Sequence, residues 1–297
     1  MYYSYMNKEN LKFADLHTHT KHSDGTFTPS ELVNYAAKQG VAVLSVTDHD
    51  SVSGIDEAIE AGFKAGVEII PGIELNTDFK DAELHVLGYF IDYKNPDFIK
   101  KLNWFRESRI ERMRMMIAKL NGSGYDITFD EVRDEALNES GGENVLASIG
   151  RPHLARAMVK RKIVEEERAA FERYIGNGKS CYVEVLNKLS PADAVRFIID
   201  FGGLAVMAHP GLTGRDEIIG ELVKEGLCGL EVYHSSHDAQ SVKKYEKIAA
   251  EYDLITTGGS DCHGPKPNMP PYCGTVKLPL AIIELLKKSL IKNKKKA

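Results

Sequence analysis

The stretch FADLHTHTKHSDG, residues 13–25, sets three histidines and two aspartates among thirteen residues, directly after an apolar start. His17 and His19 are two residues apart, so in an extended strand both rings leave the same face. Asp261 and His263, in GGSDCHG, repeat that spacing near the other end of the chain. Between the two pairs lie His49 in VTDHD, Glu74 in PGIEL, His85 in LHVLGY and His209 in AHPG. With Asp24 the candidate metal ligands are His17, His19, Asp24, His49, Glu74, His85, His209, Asp261 and His263. Imidazole and carboxylate together suit manganese, zinc or iron. The supply exceeds what one tetrahedral ion can use and fits two or three divalent ions, with Glu74 as the bridging carboxylate. A single histidine at a strand end is more often a hydrogen-bonded structural residue. A whole set at one rim would be costly to bury without cations to compensate it.

Such scattered residues meet only if the elements carry them to one place. LKFADLH reads as a strand. TPSELVNYAAKQG reads as a helix, with Thr28 as N-cap, Pro29 in the first turn, Glu31 completing a capping box and Gly40 at the stop. VAVLSVTDH is an apolar strand, SGIDEAIEAGFKAG a helix, and VEIIPGIEL and LHVLGYFI two further strands. This alternation predicts βαβ units and a parallel sheet. From about Asn95 to Asn187 helix signals take over. There Phe98, Leu102, Phe105, Met113, Met116, Ile117 and Leu120 form one apolar stripe expected to be buried. From Ser190, a predicted N-cap, the alternation resumes through LAVMAHPG, LCGLEVYH and LITTGGSDCH. About seven strands result, and an α/β barrel fits better than an open sheet. The expected organisation is a first barrel part over 11–94, a helical insertion over 95–187 and a second barrel part over 188–290. Barrel enzymes carry their chemistry at the C-terminal ends of the strands, so one rim should collect the ligands.

Composition narrows the classes. The chain has 297 residues, 43% hydrophobic and 27% charged, with a formal charge of −5. No global basic field draws it to nucleic acid or to membranes. No apolar run approaches the ~20 residues of a membrane span, and the first residues lack a signal-peptide profile. The four cysteines show no CxxC spacing, which argues against a thiolate zinc site or a disulfide framework. A cytoplasmic location is the simplest expectation. No GxGxxG, P-loop or GxSxG pattern follows a strand.

The motifs DLHTHTKHSDGTFTP, SVTDHDSVSG, PGIELN, LHVLGY, AHPG and SDCHG resemble the PHP (polymerase and histidinol phosphatase) family. The resemblance covers residues 11–91 and about 190–280. It implies a distorted seven-stranded (β/α) barrel and metal-dependent phosphoesterase activity. The family's metal ligands fall on the same nine residues. GRPHLARAMV, GLEVYH and HPG are similar to a subgroup that removes the 3′-phosphate of nucleoside 3′,5′-bisphosphates, with relatives that degrade short RNA from its 5′ end. In that subgroup the insertion caps the metal mouth.

The remaining expectations concern substrate. A small phosphorylated substrate, nucleotide or short oligonucleotide, is the expected partner, with no membrane and no stable protein partner implied. Manganese is the first choice of cofactor, with zinc or iron also compatible. Arg151, opening a helix after Gly150, is the candidate for a second phosphate, with His153 beside it. His234, at the end of its strand, is the candidate for phosphate contact or general-acid work, beside Glu74 as the other catalytic residue. Asp48 is expected to hydrogen-bond a ligand imidazole, Asp50 to serve a turn and His237 to sit on a surface. Tyr182, Tyr233 and Trp104 are all available for base stacking. The rivals are another small phosphomonoesterase, of the histidinol-phosphate kind, an amidohydrolase-type C–N hydrolase and a non-enzymatic metal-binding accessory module.

Overall fold

The computed structural model describes residues 12–80, 82–140, 146, 149–184, 189–265 and 270–294. The boundary expected between 187 and 188 lies outside the described residues. The chain starts as β1 (Phe13–Asp15), α1 (Pro29–Lys38), β2 (Val41–Val46), α2 (Ile55–Ala65), β3 (Glu68–Phe79) and β4 (Ala82–Tyr89). A helical stretch follows: α3 (Pro96–Gly122), α4 (Phe129–Ser140), α5 (Arg151–Lys160) and α6 (Glu167–Ala170), which runs into a π-helical turn at Phe171–Ile175. The chain then forms α7 (Pro191–Asp200), β5 (Leu204–Met207), α8 (Pro210–Thr213), a 3-10 turn at Asp216–Ile218, α9 (Ile219–Lys224) and β6 (Gly229–His234). It ends with α10 (Ala239–Glu251), β7 (Ile255–Gly259) and α11 (Ala281–Lys294).

Local chemistry sets the helix starts. Thr28 Oγ1 accepts from Glu31 N while the Glu31 carboxylate accepts from Thr28 N, so two amides that α1 leaves open are satisfied reciprocally. Ser190 and Asp193 do the same for α7. α2 stops where Gly66 takes a left-handed backbone, φ 72°.

The seven strands hydrogen-bond in sequence order, β1 to β7. The pairs among β1–β3 and among β5–β7 are parallel, but β4 runs antiparallel to both β3 and β5. The expected all-parallel sheet is therefore corrected at β4. The physical reason is the short turn after Phe79, which leaves room for a hairpin but not for the dozen or more residues of a crossover. The sheet curls until its ends meet: Leu16 N donates to Gly258 O at 3.2 Å, Asp261 N to His17 O at 2.8 Å and His19 N to Cys262 O at 2.9 Å. This closure needs glycine at 259, where a Cβ would come within 2.3 Å of His17 Cβ.

The stripe on α3 serves two cores instead of one. Phe98 and Leu102 pack with Phe197, Val195 and the β3–β5 side chains against the barrel. Met113, Met116, Ile117 and Leu120 pack with Leu154, Met158 and Ile175 in a separate cluster. At about 1.5 Å per residue, α3 is about 40 Å long, enough to climb the barrel wall and continue past it. Phe105, between the two groups, is only partly buried. No described helix is long and apolar enough to cross a membrane.

Candidate metal centre

The closed sheet gathers the scattered ligand candidates at one rim. His17 and His19 leave the end of β1, and Asp24 sits in the turn that follows. His49 follows β2 and bridges to Glu74 in β3. His209 follows β5, and Asp261 and His263 follow β7. His85 reaches the same rim from the first half of β4, opposite Asn76, because that strand is reversed.

Glu74 is the hub. Its carboxylate is 1% exposed and faces five imidazoles. Oε1 lies 2.8 Å from His85 Nδ1 and 3.1 Å from His209 Nε2. Oε2 lies 3.1 Å from His17 Nε2 and 3.2 Å from both His19 Nε2 and His49 Nδ1. Asp261 Oδ1 stands 3.1 Å from His19 Nε2 and 3.4 Å from His17 Nε2. Asp24 Oδ2 stands 3.3 Å from His263 Nε2 and 3.6 Å from His49 Nε2. The ligand atoms of His19, Asp24, His49 and His263 all lie within 4.8 Å of one another. So do those of His17, His19, Glu74 and Asp261, and those of His49, Glu74 and His85. These overlapping sets share His19, His49 and Glu74, as a cluster of adjacent ions would require.

The donor chemistry fits cations. His19 Nε2 and His49 Nδ1 are buried and make no hydrogen bond, although both face Glu74 Oε2. An unsatisfied buried polar atom costs about 1–3 kcal/mol, and a divalent ion in that position removes the cost. The protonation pattern points the same way. Burial works against charge on His19, yet Asp261, Glu74 and Asp24 raise it to about 10. His17 is raised well above its ordinary range against burial, by Glu231, Glu74 and Asp261. Burial, with the nearby His19 and His85, takes His49 down to about 3. Glu74 and Asp261 are held well below the usual carboxylate range, against burial, by the surrounding imidazoles. Protons thus do part of the charge balancing that metal ions would otherwise do. The backbone is strained here as well: His209 has φ 22° and Asp261 φ 55°, in a region that non-glycine residues rarely adopt.

Several expectations around the centre change. Among the described residues Asp48 makes its side-chain hydrogen bonds to the loop and not to a ligand imidazole: it accepts from Thr20 N, Thr20 Oγ1 and Ser23 Oγ at 2.7, 2.7 and 2.6 Å. Its position beneath the 20–23 turn makes it the brace of the loop joining His19 to Asp24. Asp50 does more than serve a turn: it is buried, accepts from Asn76 N and Nδ2, and pairs with Arg109 of α3 at 2.9 Å. His237 is half-buried just before α10 and not free in solvent: its Nδ1 donates to Val232 O and its Nε2 accepts from Gly211 N. His234 is buried beside the cluster, with Nε2 3.4 Å from Asp261 Oδ2 and Nδ1 accepting from Ser236 N. Arg151 is buried within the helical segment, its guanidinium 5.7 Å from the Phe171 ring and 5.8 Å from the Tyr182 ring. His153 Nδ1 accepts from Gly150 N and so caps its own helix.

Two buried carboxylates escaped the sequence reading. Glu231, inside β6, accepts from His17 Nδ1 at 2.9 Å. Asp15 accepts from Ser260 N and Gly274 N, which ties β1 to the segment just before Asp261. The available signal was a lone acid inside an apolar run, in FADLH and in LCGLEVYH.

The chain is similar to known proteins. A 3′,5′-nucleoside bisphosphate phosphatase of Chromobacterium violaceum is 34% identical over 84% of this chain and 87% of its own length. A 5′-3′ exoribonuclease of Haemophilus influenzae is 32% identical over 90% of this chain and 93% of its own. A solved structure described as an amidohydrolase from Chromobacterium violaceum, with bound sulfate and no metal, aligns with a TM-score of 0.69. It is 32% identical and is covered over 94% of this chain and 96% of that one. The PHP domain model matches residues 15–186. With that match and these relatives, the chain belongs to the PHP domain family.

Proposed function

We propose that this protein is a metal-dependent phosphoesterase that hydrolyses phosphate monoesters of nucleotides, with the 3′-phosphate of nucleoside 3′,5′-bisphosphates as its target. The observation that carries the reading is Glu74 facing five imidazoles while two of the ring nitrogens that face it, His19 Nε2 and His49 Nδ1, are buried without a hydrogen bond. His17, His19, Asp24, His49, Glu74, His85, His209, Asp261 and His263 would hold two or three divalent ions, manganese first. Such ions supply Lewis acidity, offset phosphate charge and make water acidic enough to ionise near neutral pH.

The chain's own residues do the rest. Glu74, shared by both sides of the cluster, fixes the spacing of the ligand sets. Asp48 holds the loop that keeps His19 and Asp24 in register. His234 accepts from Ser236 N at Nδ1, so its proton sits on Nε2, facing the cluster, where it can be given to a leaving oxygen. Phosphate binding follows from charge: Arg151 at the start of α5 adds a guanidinium to a helix N-terminus, and His153 holds that turn. The segment 95–187 acts as the cap that selects substrates carrying two phosphates. Short 5′-phosphorylated RNA presents the same 5′-phosphate, with a phosphodiester in place of the 3′-phosphate, and is the second substrate of this reading.

The test is phosphate release by manganese-loaded protein from adenosine 3′,5′-bisphosphate, 5′-AMP and histidinol phosphate, with His49→Ala as control. Preference for the bisphosphate, lost in the variant, is expected. Equal or faster turnover of the monophosphates would remove the bisphosphate assignment. No phosphate from any of them would favour a longer nucleic-acid substrate or the C–N hydrolase reading.

A further inference from the structure

His17, Glu231 and His234 lie close enough to enclose an ion of their own. The hydrogen bonds favour a different role. Both Glu231 oxygens approach His17 Nδ1, at 2.9 and 3.0 Å, and Oε2 also accepts from His209 N at 2.9 Å. The acid is fully buried in β6, its oxygens already engaged by these donors. His17 turns its other nitrogen, Nε2, to Glu74 and Asp261.

We propose that Glu231 is a positioning residue that fixes His17 as the tautomer protonated on Nδ1, so that the Nε2 lone pair is aimed at the ion shared with Glu74 and Asp261. A neutral imidazole offers one donor and one acceptor, so holding the donor on Nδ1 frees Nε2 for a cation. The same carboxylate anchors the backbone amide of His209, whose φ of 22° would otherwise be poorly held. One side chain of β6 thereby sets a ligand on β1 and steadies another after β5. This inference rests on the metal-centre reading above.

The experiment measures metal affinity apart from activity. Wild-type, Glu231→Gln and Glu231→Ala proteins are titrated with manganese against a chromophoric chelator, each also in a His17→Ala background. The ring protonation of His17 is read from nitrogen-15 spectra of zinc-loaded, histidine-labelled protein. Glu231→Gln should weaken one class of site by about 10–100-fold. In the His17→Ala background the further loss should shrink to within about threefold, because the effect runs through that ring. The spectra should place the wild-type proton on Nδ1 and show that preference weakened in Glu231→Gln. Glutamine matches the shape of glutamate, so it keeps the test decisive if the alanine variant does not fold. Unchanged affinity and tautomer in Glu231→Gln would overturn the assignment, as would an undiminished loss without His17. A wild-type protein that binds no divalent ion would overturn both this inference and the metal-centre reading. Wild-type binding with an unaffected glutamine variant would remove only the role of Glu231.

Discussion

At Glu74 one carboxylate answers to five rings, and its negative charge matters more than its shape. Glu74→Gln keeps the outline and removes the charge. The expected result is loss of bound manganese after dialysis and a fall in phosphate release of about a thousandfold, equivalent to about 4 kcal/mol. Wild-type metal content in that variant would contradict the hub role. Asp48 tests the next layer out. Its three hydrogen bonds hold the loop between His19 and Asp24, so Asp48→Asn should weaken manganese binding about tenfold while leaving circular dichroism unchanged. An unchanged affinity would show that the loop holds itself. The ligand candidates were legible because histidines and acids recur together at the ends of apolar strands, where burying the whole set without cations would be costly. Glu231 and Asp15 were not, because a single acid within a strand reads the same whether it faces solvent or a neighbouring strand. Only closure of β1 against β7, and the approach of β6, reveals what they touch.

At the scale of elements, α3 joins the barrel to the helical segment, and Arg109 fastens it at the rim. Its guanidinium pairs with buried Asp50 at 2.9 Å, donates to Asn76 O at 3.1 Å and reaches Glu83 at 3.4 Å. Asp50 adjoins His49, and Asn76 lies two residues beyond Glu74, so this clamp bears directly on the ligands. Burial raises Asp50 above the ordinary carboxylate range even with Arg109 beside it. Arg109→Ala should leave that carboxylate without its cation, and unfolding in urea should report a loss of about 3 kcal/mol. A loss under about 0.5 kcal/mol would mean that Asn76 alone satisfies Asp50. The apolar spacing from Phe98 to Leu120 predicted a buried face, but not the division of that face between two cores. Periodicity gives the angle of a side chain around the axis and is silent about which partner it meets. The direction of β4 was hidden for a related reason. A strand buried on both faces is apolar whichever way it runs, so only the short turn after Phe79 carried the information.

For the whole molecule, the cluster ties stability to both pH and metal. In the metal-free protein His17, His85 and His263 are raised against burial by neighbouring carboxylates, and His19 is raised to about 10. Each binds its proton more tightly folded than unfolded. Their contribution is therefore complete below about pH 6.5 and lost as pH rises through their folded values. His49 is held down at about 3 by burial, so its contribution is present above about pH 6.5 and lost as pH falls toward 3. Glu74 and Asp261, held low by the surrounding imidazoles, contribute above about pH 4.3 and lose that contribution below it. The opposing slopes meet near about pH 6.5, where the melting temperature of chelator-treated protein should peak. Manganese should change the alkaline side selectively, since the deprotonated ring is the form that ligates. At a free concentration about 100 times its dissociation constant it adds about 2.7 kcal/mol. Scans from pH 5 to 9 at constant ionic strength should thus show a fall of several degrees above the peak without metal, and little or none with it. Calorimetric titrations at pH 7.5 in buffers of different ionisation enthalpy should show at least one proton released on metal uptake. A metal-free melting temperature that stays level or rises between pH 6.5 and 9 would mean that the rim histidines are not held by their carboxylates in the absence of ions. A cluster of that kind would have to be assembled by the metal, whereas the hydrogen bonds behind His17 and beneath the His19–Asp24 loop describe one that is already built.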